Sequence, residues 1–539
     1  MRLRRTIAAA ATAVLAAVSV TACGSDPGSS DGGMIINVWG SEPQNPLVPT
    51  QNNETGGHDI LKYLFDTLVT FQPDGSIENE VAESIEANED NTEFTITLND
   101  DRTFTDGTPV EAASFVDAWN YGAAAKNAQL QQSFFSSIEG YDEVSREGSE
   151  ADEMSGLEVV SPTEFTVRLS APEAEFPKRL GYTAYAPLPA VAFEDMEAFG
   201  ENPIGNGPYM MAGPGAWEHE VGAELVANPD YVGSRTPEND GLSYKFYTSN
   251  DTAYADLQSG TLDTIGYTVP QSAFGTFTTD FPDSHSNEPY TNNYTFTIPN
   301  RLEHFGNDDE GRLRRQAISM AINRDQIVEK IFQNTRTPMT EFTTSALEGY
   351  NDSIPGSEVL QYNPDRAKQL WAEADAIQPF TGTFEIAYNA DASHQVWVDA
   401  VSNDLKNTLG IQAQGKAYPT FAQLRTEVTE RQIETPFRTG WIADYPSRVN
   451  FLQPLFETGA ASNDGDYSNP EFDAQIDKIN AANEEEEIKA ATDEAQSILL
   501  RDLPAIPLWY GNASTAWNPE LQGVEIDFDG YPIYHKITK

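Results

Sequence analysis

The sequence predicts a multi-domain α/β protein, and three observations carry that prediction. The chain has 539 residues, against about 100–200 for one domain, so two or three domains are expected. Segments alternating apolar and polar with period two, the strand signature, are interleaved with segments of helical period. The interleaving is irregular and shows no repeat of fixed length, as mixed layers of helix and sheet require. Hydrophobic residues make up 39 %, with 27 Phe, 22 Tyr and 8 Trp, enough to fill sizeable cores.

In chain order, Met34-Ile35-Ile36-Asn37-Val38-Trp39 reads as a strand, and Thr92 to Leu98 alternates with period two as a second. Pro109 is expected to open a helix running through Val110 to Trp119, with proline at the favoured first turn. Thr163 to Leu169 repeats the strand pattern. Gly205-Asn206-Gly207-Pro208-Tyr209 is a turn leading towards a strand around Ala223 to Val226. Arg312 to Phe332 holds two helical patches. Asn323, with Gln326 three residues on, has the form of a cap that restarts the helix, and Ile327, Val328, Ile331 and Phe332 make its apolar stripe. Phe384 to Tyr388 is a strand and His394 to Leu409 a helix. The acidic run Glu484 to Glu487 belongs to a solvated helix face continuing to Leu500.

The amino terminus carries a different signal. Arg2, Arg4 and Arg5 precede an uncharged stretch from Thr6 to Ala22, the form of a secretory signal. Flanking residues fit a twin-arginine variant poorly. The stretch is shorter than the about 20 residues of a membrane-spanning helix. Val20-Thr21-Ala22-Cys23 resembles a bacterial lipobox, in which the thiol receives a diacylglycerol and becomes the first mature residue. Cys23 is the sole cysteine, so no internal disulfide or thiolate metal site is expected. The Gly- and Ser-rich segment Gly24 to Gly33 is too polar to pack and reads as a tether. Residues 1–22 are thus expected to be a signal peptide, 23–33 a flexible leash, and the rest an exported body held to a membrane by lipid.

The balance of 84 acidic against 32 basic residues, net −52, argues against nucleic acid or anionic lipid as partner. It describes a heavily solvated surface and is compatible with cationic ligands. The six histidines are scattered, with no two at the three-to-five spacing of helical metal ligands. There is no G-x-S-x-G elbow, and no P-loop or dinucleotide fingerprint. Acidic pairs are too common here for any one to signal a glycosidase. The expectation is a binding protein without metal or cofactor rather than an enzyme, with a lipid-anchored hydrolase or a passive surface protein as the distant alternatives.

Eight segments, in order, resemble one family. They are Glu42-Pro43-Gln44-Asn45-Pro46-Leu47; Thr105 to Ala112 with Phe115, Val116 and Trp119; Pro203 to Tyr209; Asn228-Pro229-Asp230-Tyr231; Tyr254, Leu257 and Ser259 to Asp263; Leu313 to Arg324; Gly440-Trp441-Ile442-Ala443-Asp444-Tyr445; and Ile506 to Tyr510. Together they are similar to the solute-binding proteins of the peptide/nickel class (family 5) of ABC importers, in particular the oligopeptide-binding lipoproteins.

The resemblance implies a type II periplasmic-binding-protein fold of the three-domain peptide-binding class, with two lobes joined by a hinge of two crossing strands. It places domain I in 34–54, 184–290 and 509–539, an inserted domain II in 55–183, and domain III in 291–508, with ligand held between I and III. A peptide would lie extended and bond to backbone as an added strand. By the same resemblance Asp444 pairs with the ligand ammonium, Arg438 with its carboxylate, and Glu42 lies near the peptide's amino end. Gly440, Trp441, Ile442, Ala443 and Tyr510 line the cleft. The expected partners are an oligopeptide and the ABC permease subunits, for a monomer on the outer face of the cytoplasmic membrane of a Gram-positive, actinobacterium-like cell. Dipeptides, nickel chelates, haem and sugars remain alternative ligands. Pro446 and Arg448, just after the aspartate, depart from the family pattern, and only Arg438 can be carried over as a carboxylate contact.

Overall fold

Strand Ile35–Gly40 buries alternate residues, including Ile36 and Val38, as its period-two pattern requires. It pairs in parallel with Gly241–Phe246, and the sheet continues through Gly222–Ala227 to Tyr209–Met211. The computed structural model describes residues 33–539 apart from 391 and 461. The signal segment, Cys23 and the tether up to residue 32 lie outside the described residues.

A second, antiparallel sheet follows, in the order Ala82–Ala87, Glu93–Leu98, Glu164–Arg168, Leu157–Ser161. Its central strands bury Phe94, Ile96, Phe165 and Val167. Helix Ala112–Ala123 packs on it, with the Phe115 and Trp119 rings 5.8 and 5.6 Å from Phe165. The helix begins three residues after Pro109 instead of at it. Pro109 bridges Thr103 and the Val110 N–H donates to the Arg102 carbonyl, so the chain stays extended there. Ser114 Oγ then accepts the Glu111 N–H at 3.2 Å, at the helix start. These two sheets share one apolar core, which Tyr534 and Ile537 of the returning carboxyl terminus complete.

A third sheet of six strands orders as Arg336–Pro338, Ala505–Ala516, His285–Thr297, Phe437–Ile442, Thr383–Asn389, Gln412–Tyr418. Helices Asp309–Ala321, Pro364–Ile377, Gln395–Leu409 and Glu485–Asp502 cover it over a separate core that includes Phe296, Ile318, Leu370, Ile386, Val401 and Leu499. Helix Arg324–Lys330 restarts where expected, with Asn323 Oδ1 accepting the Gln326 N–H at 3.2 Å. The acidic run Glu484 to Glu487 is exposed at the start of helix Glu485–Asp502.

Two strands join the halves. His285–Thr297 and Ala505–Ala516 pair antiparallel along their length, with a register shift between Pro289 and Asn293. Near Ser514 they meet the first half through bridges Thr268–Ser514 and Thr264–Trp517, and Thr264 in turn bridges Val38. At the other end they form the middle of the six-stranded sheet. The domain lines expected at 290/291 and 508/509 fall inside these two strands. Among the described residues no helix is long and apolar enough to cross a membrane.

Candidate functional site

Strand Phe437–Ile442 leads from the six-stranded half towards a cavity lined also by residues of the first half. It pairs with His285–Thr297 from Phe437 to Ile442, but its other edge meets Thr383–Asn389 only at Ala387–Phe437. Beyond Phe437 that edge is therefore not paired with another strand among the described residues. An unpaired edge offers a row of backbone donors and acceptors to an extended chain. Gly440 is demanded by packing, since a Cβ there would lie 2.7 Å from the Asn293 carbonyl oxygen of the paired strand.

The strand's end runs into a cavity of about 510 Å³, a size that suits a small ligand. Ile442, Ala443 and Asp444 form one wall. The opposing surfaces come from helix Thr55–Leu64 and the residues after it, from Gly181-Tyr182-Thr183, and from the carboxyl-terminal stretch around Asp527 to Tyr531. Asp444 is half-buried. Burial pushes its carboxyl up to about 6, against the opposing pull of an Asn450 hydrogen bond and the Arg179 charge. Asn450, itself buried, fixes this corner: its Oδ1 accepts from the Trp441 indole at 2.8 Å and from the Asp444 N–H at 3.1 Å, and its Nδ2 lies 3.4 Å from Asp444 Oδ2.

The other sequence-expected residues are distributed. Arg438, Gly440 and Trp441 line a smaller cavity of about 180 Å³, on the side of helix Phe421–Thr429. Arg438 donates through Nε to Asn389 Oδ1 at 2.8 Å, and its guanidinium lies 4.7 Å from the Phe421 ring centre. Glu42 lines neither cavity. It sits near the surface, 3.0 Å from His219 Nδ1, and accepts the Glu220 N–H. Tyr510 is buried within the six-stranded half, where its hydroxyl accepts the Glu341 N–H at 3.1 Å and lies 3.2 Å from the Glu341 carbonyl.

Sequence reasoning missed the wall facing Asp444. Tyr182 stacks on His58 with ring centres 5.4 Å apart, and His58 Nδ1 lies 3.2 Å from Thr183 Oγ1. Burial and the Lys62 charge hold His58 down at about 4, so it is neutral near pH 7. Lys62 Nζ donates to Asp529 Oδ2 at 2.9 Å, across 467 residues of chain. The turn-forming Asp527-Phe528-Asp529-Gly530 is visible in the sequence, but nothing local ties it to helix Thr55–Leu64. Among the described residues, no group of three or more His, Cys, Asp or Glu is placed to hold a metal ion.

The family model for bacterial extracellular solute-binding proteins, family 5 (middle), matches residues 76–463. The chain belongs to this family. Its members are binding proteins, not enzymes, and the fold is the type II periplasmic-binding-protein fold. The periplasmic oligopeptide-binding protein OppA of Escherichia coli (strain K12) is 26 % identical over 489 residues, covering 88 % of this chain and 87 % of OppA. The dipeptide-binding protein DppE of Bacillus subtilis (strain 168) is 22 % identical over 513 residues, covering 93 % and 91 %. Among solved structures, the unliganded open form of the periplasmic murein tripeptide binding protein MppA superposes with a TM-score of 0.80 at 20 % identity, covering 94 % of this chain and 98 % of that one. Haemophilus influenzae OppA in complex with the peptide RPPGFSPFR gives 0.72 at 22 % identity, covering 94 % and 99 %.

Proposed function

We propose that this solute-binding protein captures oligopeptides between its halves and delivers them to the permease of an ABC importer, held to the outer face of the cell membrane by a lipid on Cys23. One observation carries the ligand assignment: the unpaired edge of strand Phe437–Ile442 is followed, two residues on, by a half-buried carboxylate, Asp444. A peptide added at that edge satisfies its own backbone without regard to side chains. Its α-ammonium meets Asp444 in a charge-assisted bond, strengthened as water leaves the cleft. The lengthwise similarity to peptide-binding relatives supports the same reading, and the sequence Val20-Thr21-Ala22-Cys23 supports the anchor. Glu42 and Tyr510 line neither cavity and are given no ligand contact in this reading.

The test is native mass spectrometry of the mature protein, followed by denaturing spectra of whatever it releases. A ladder of short peptides, lost or reduced in Asp444→Ala, is the expected result. A single non-peptide mass, or a protein that no added peptide stabilises, would overturn the peptide assignment. Metabolic labelling with a fatty acid, abolished by Cys23→Ser, checks the anchor separately.

A further inference from the structure

The large cavity has more acid on its walls than its own partners account for. Glu54 is spent on the start of helix Thr55–Leu64, accepting the Gly56 and Gly57 N–H groups. Glu80 accepts from Ser234, and Asp66 is paired with Arg235. Asp527 and Asp529 each spend one carboxylate oxygen on a backbone N–H of their own turn, that of Phe528 and that of Tyr531, whereas Asp59 makes no such bond. The cation set between Asp59 and Asp529 is Lys62, whose Nζ is 2.9 Å from Asp529 Oδ2 but 3.8 Å from the nearer Asp59 oxygen. Asp59 is 2 % exposed, lines the cavity, and meets no donor at full hydrogen-bond distance on either carboxylate oxygen, with the Tyr531 hydroxyl close enough to favour its charge against burial. A buried carboxylate in that condition is costly until a proton or a cation reaches it. Burial drives the Asp59 carboxyl up to about 7, and burial together with the neighbouring Asp529 charge raises Asp527 as well.

The surrounding surface is aromatic. Lys62 Nζ lies 5.0 Å from the ring centre of Tyr531 and 5.7 Å from that of Tyr63. Tyr267 packs 5.3 Å from Tyr531 and 6.0 Å from Tyr290. The Tyr531 hydroxyl is buried beside Asp59, without a partner at full hydrogen-bond distance. Carboxylates behind ring faces attract an alkylammonium or guanidinium twice over, through charge and through the ring quadrupole.

We propose that Asp59, Asp527 and Asp529, with Tyr63, Tyr267 and Tyr531, form a subsite for a second positive charge on the ligand, separate from the Asp444 corner. Resting on the peptide reading above, the group it takes is the ammonium or guanidinium of a lysine or arginine side chain, and the protein selects basic peptides. Lys62, already paired with Asp529, keeps that pair and leaves Asp59 to the ligand cation.

Calorimetric titration of the purified protein with Ala-Lys-Ala, Ala-norleucine-Ala and 1,4-diaminobutane tests this. The lysine peptide is expected to bind at least about tenfold more tightly than its norleucine analogue, the worth of one charge-assisted contact. Asp59→Asn should bring the two within about twofold of each other. Lys62→Met should move the preference the other way, so the proposal stays testable if Asp59→Asn folds poorly. Equal binding of both peptides to the parent protein overturns the subsite and leaves the peptide function standing. If neither peptide binds but 1,4-diaminobutane does, and Asp59→Asn abolishes it, the cation subsite holds for a free amine and the peptide reading falls. No binding of any of the three overturns both.

Discussion

Asp444 carries a conflict between folding and binding. Its carboxyl titrates at about 6 in the folded protein, chiefly because burial penalises its charge, against about 3.9 in an unfolded chain. The folded state therefore holds the proton more tightly than the unfolded one between those values. Stability falls as pH rises through that window, and the full penalty is present above pH 6. Asp444→Asn removes it, so the ligand-free variant should melt higher than the parent at pH 7 and lose that advantage by pH 4. Binding should go the opposite way: affinity for a peptide with a free amino end falls in the parent as pH drops through 6, and Asp444→Asn is weak throughout. Asp59, at about 7, adds its own titration, so the diagnostic is the difference between parent and variant. Thermal melts and titrations at pH 4, 6 and 7 decide it. A variant that melts lower than the parent at pH 7 would mean that the Asn450 and Arg179 interactions outweigh burial. Asp444 was legible in the sequence because its neighbours Gly440 to Tyr445 make a recognisable run. Asn450, which orients it, was not, since a buried amide accepting from an indole leaves no spacing signature.

At the scale of elements, the strand Phe437–Ile442 works because it touches its neighbour closely on one edge and leaves the other open. Gly440→Ala tests that arrangement. A methyl group 2.7 Å from the Asn293 carbonyl oxygen has no room, and the obstacle is backbone, which cannot rotate away. The strand must shift or lose its pairing, at a cost of about 1–3 kcal/mol as for other overpacked sites. The expected result is a lower melting temperature together with weaker peptide binding, since the displaced edge is the one on which the proposed peptide ladder would form. Unchanged binding would show that the ligand does not use this edge. Elements with a local signal were read correctly from sequence: the alternation of Glu93–Leu98 and the Asn323 cap of Arg324–Lys330 depend on residues within one turn or strand. The helix start near Pro109 was misplaced because a distant-in-register contact, the Thr103 bridge, overrides the proline's local preference. The cavity wall opposite Asp444 could not be read at all, since Lys62 and Asp529 meet only after the carboxyl terminus returns to the first half.

At the scale of the whole molecule, the crossing strands are not the only link between the halves. Asn91, in the left-handed region at φ 53°, sends its amide to the Ala482 carbonyl at 2.9 Å and the Asn480 carbonyl at 3.4 Å. The Ala174 N–H also donates to the Asn480 carbonyl, and Asn483 Nδ2 to the Glu89 carbonyl at 3.2 Å. Ser447 donates to Glu175, three residues beyond Asp444. These contacts tie the four-stranded sheet's surroundings to the six-stranded half away from the two long strands. Ligand shifts such a protein towards its closed form only by its differential affinity for that form. Every contact made only on closing adds to the apparent affinity, without touching the ligand. Asn91→Gly keeps the left-handed backbone available while deleting the amide's two bonds. It should raise the dissociation constant for peptide about three- to tenfold, the worth of about one net hydrogen bond, and leave the melting temperature of the ligand-free protein nearly unchanged. Small-angle scattering should show the variant remaining more extended than the parent at sub-saturating peptide. Equal loss of stability with and without ligand would instead mean that the clasp is permanent, and that closure turns on the two long strands alone.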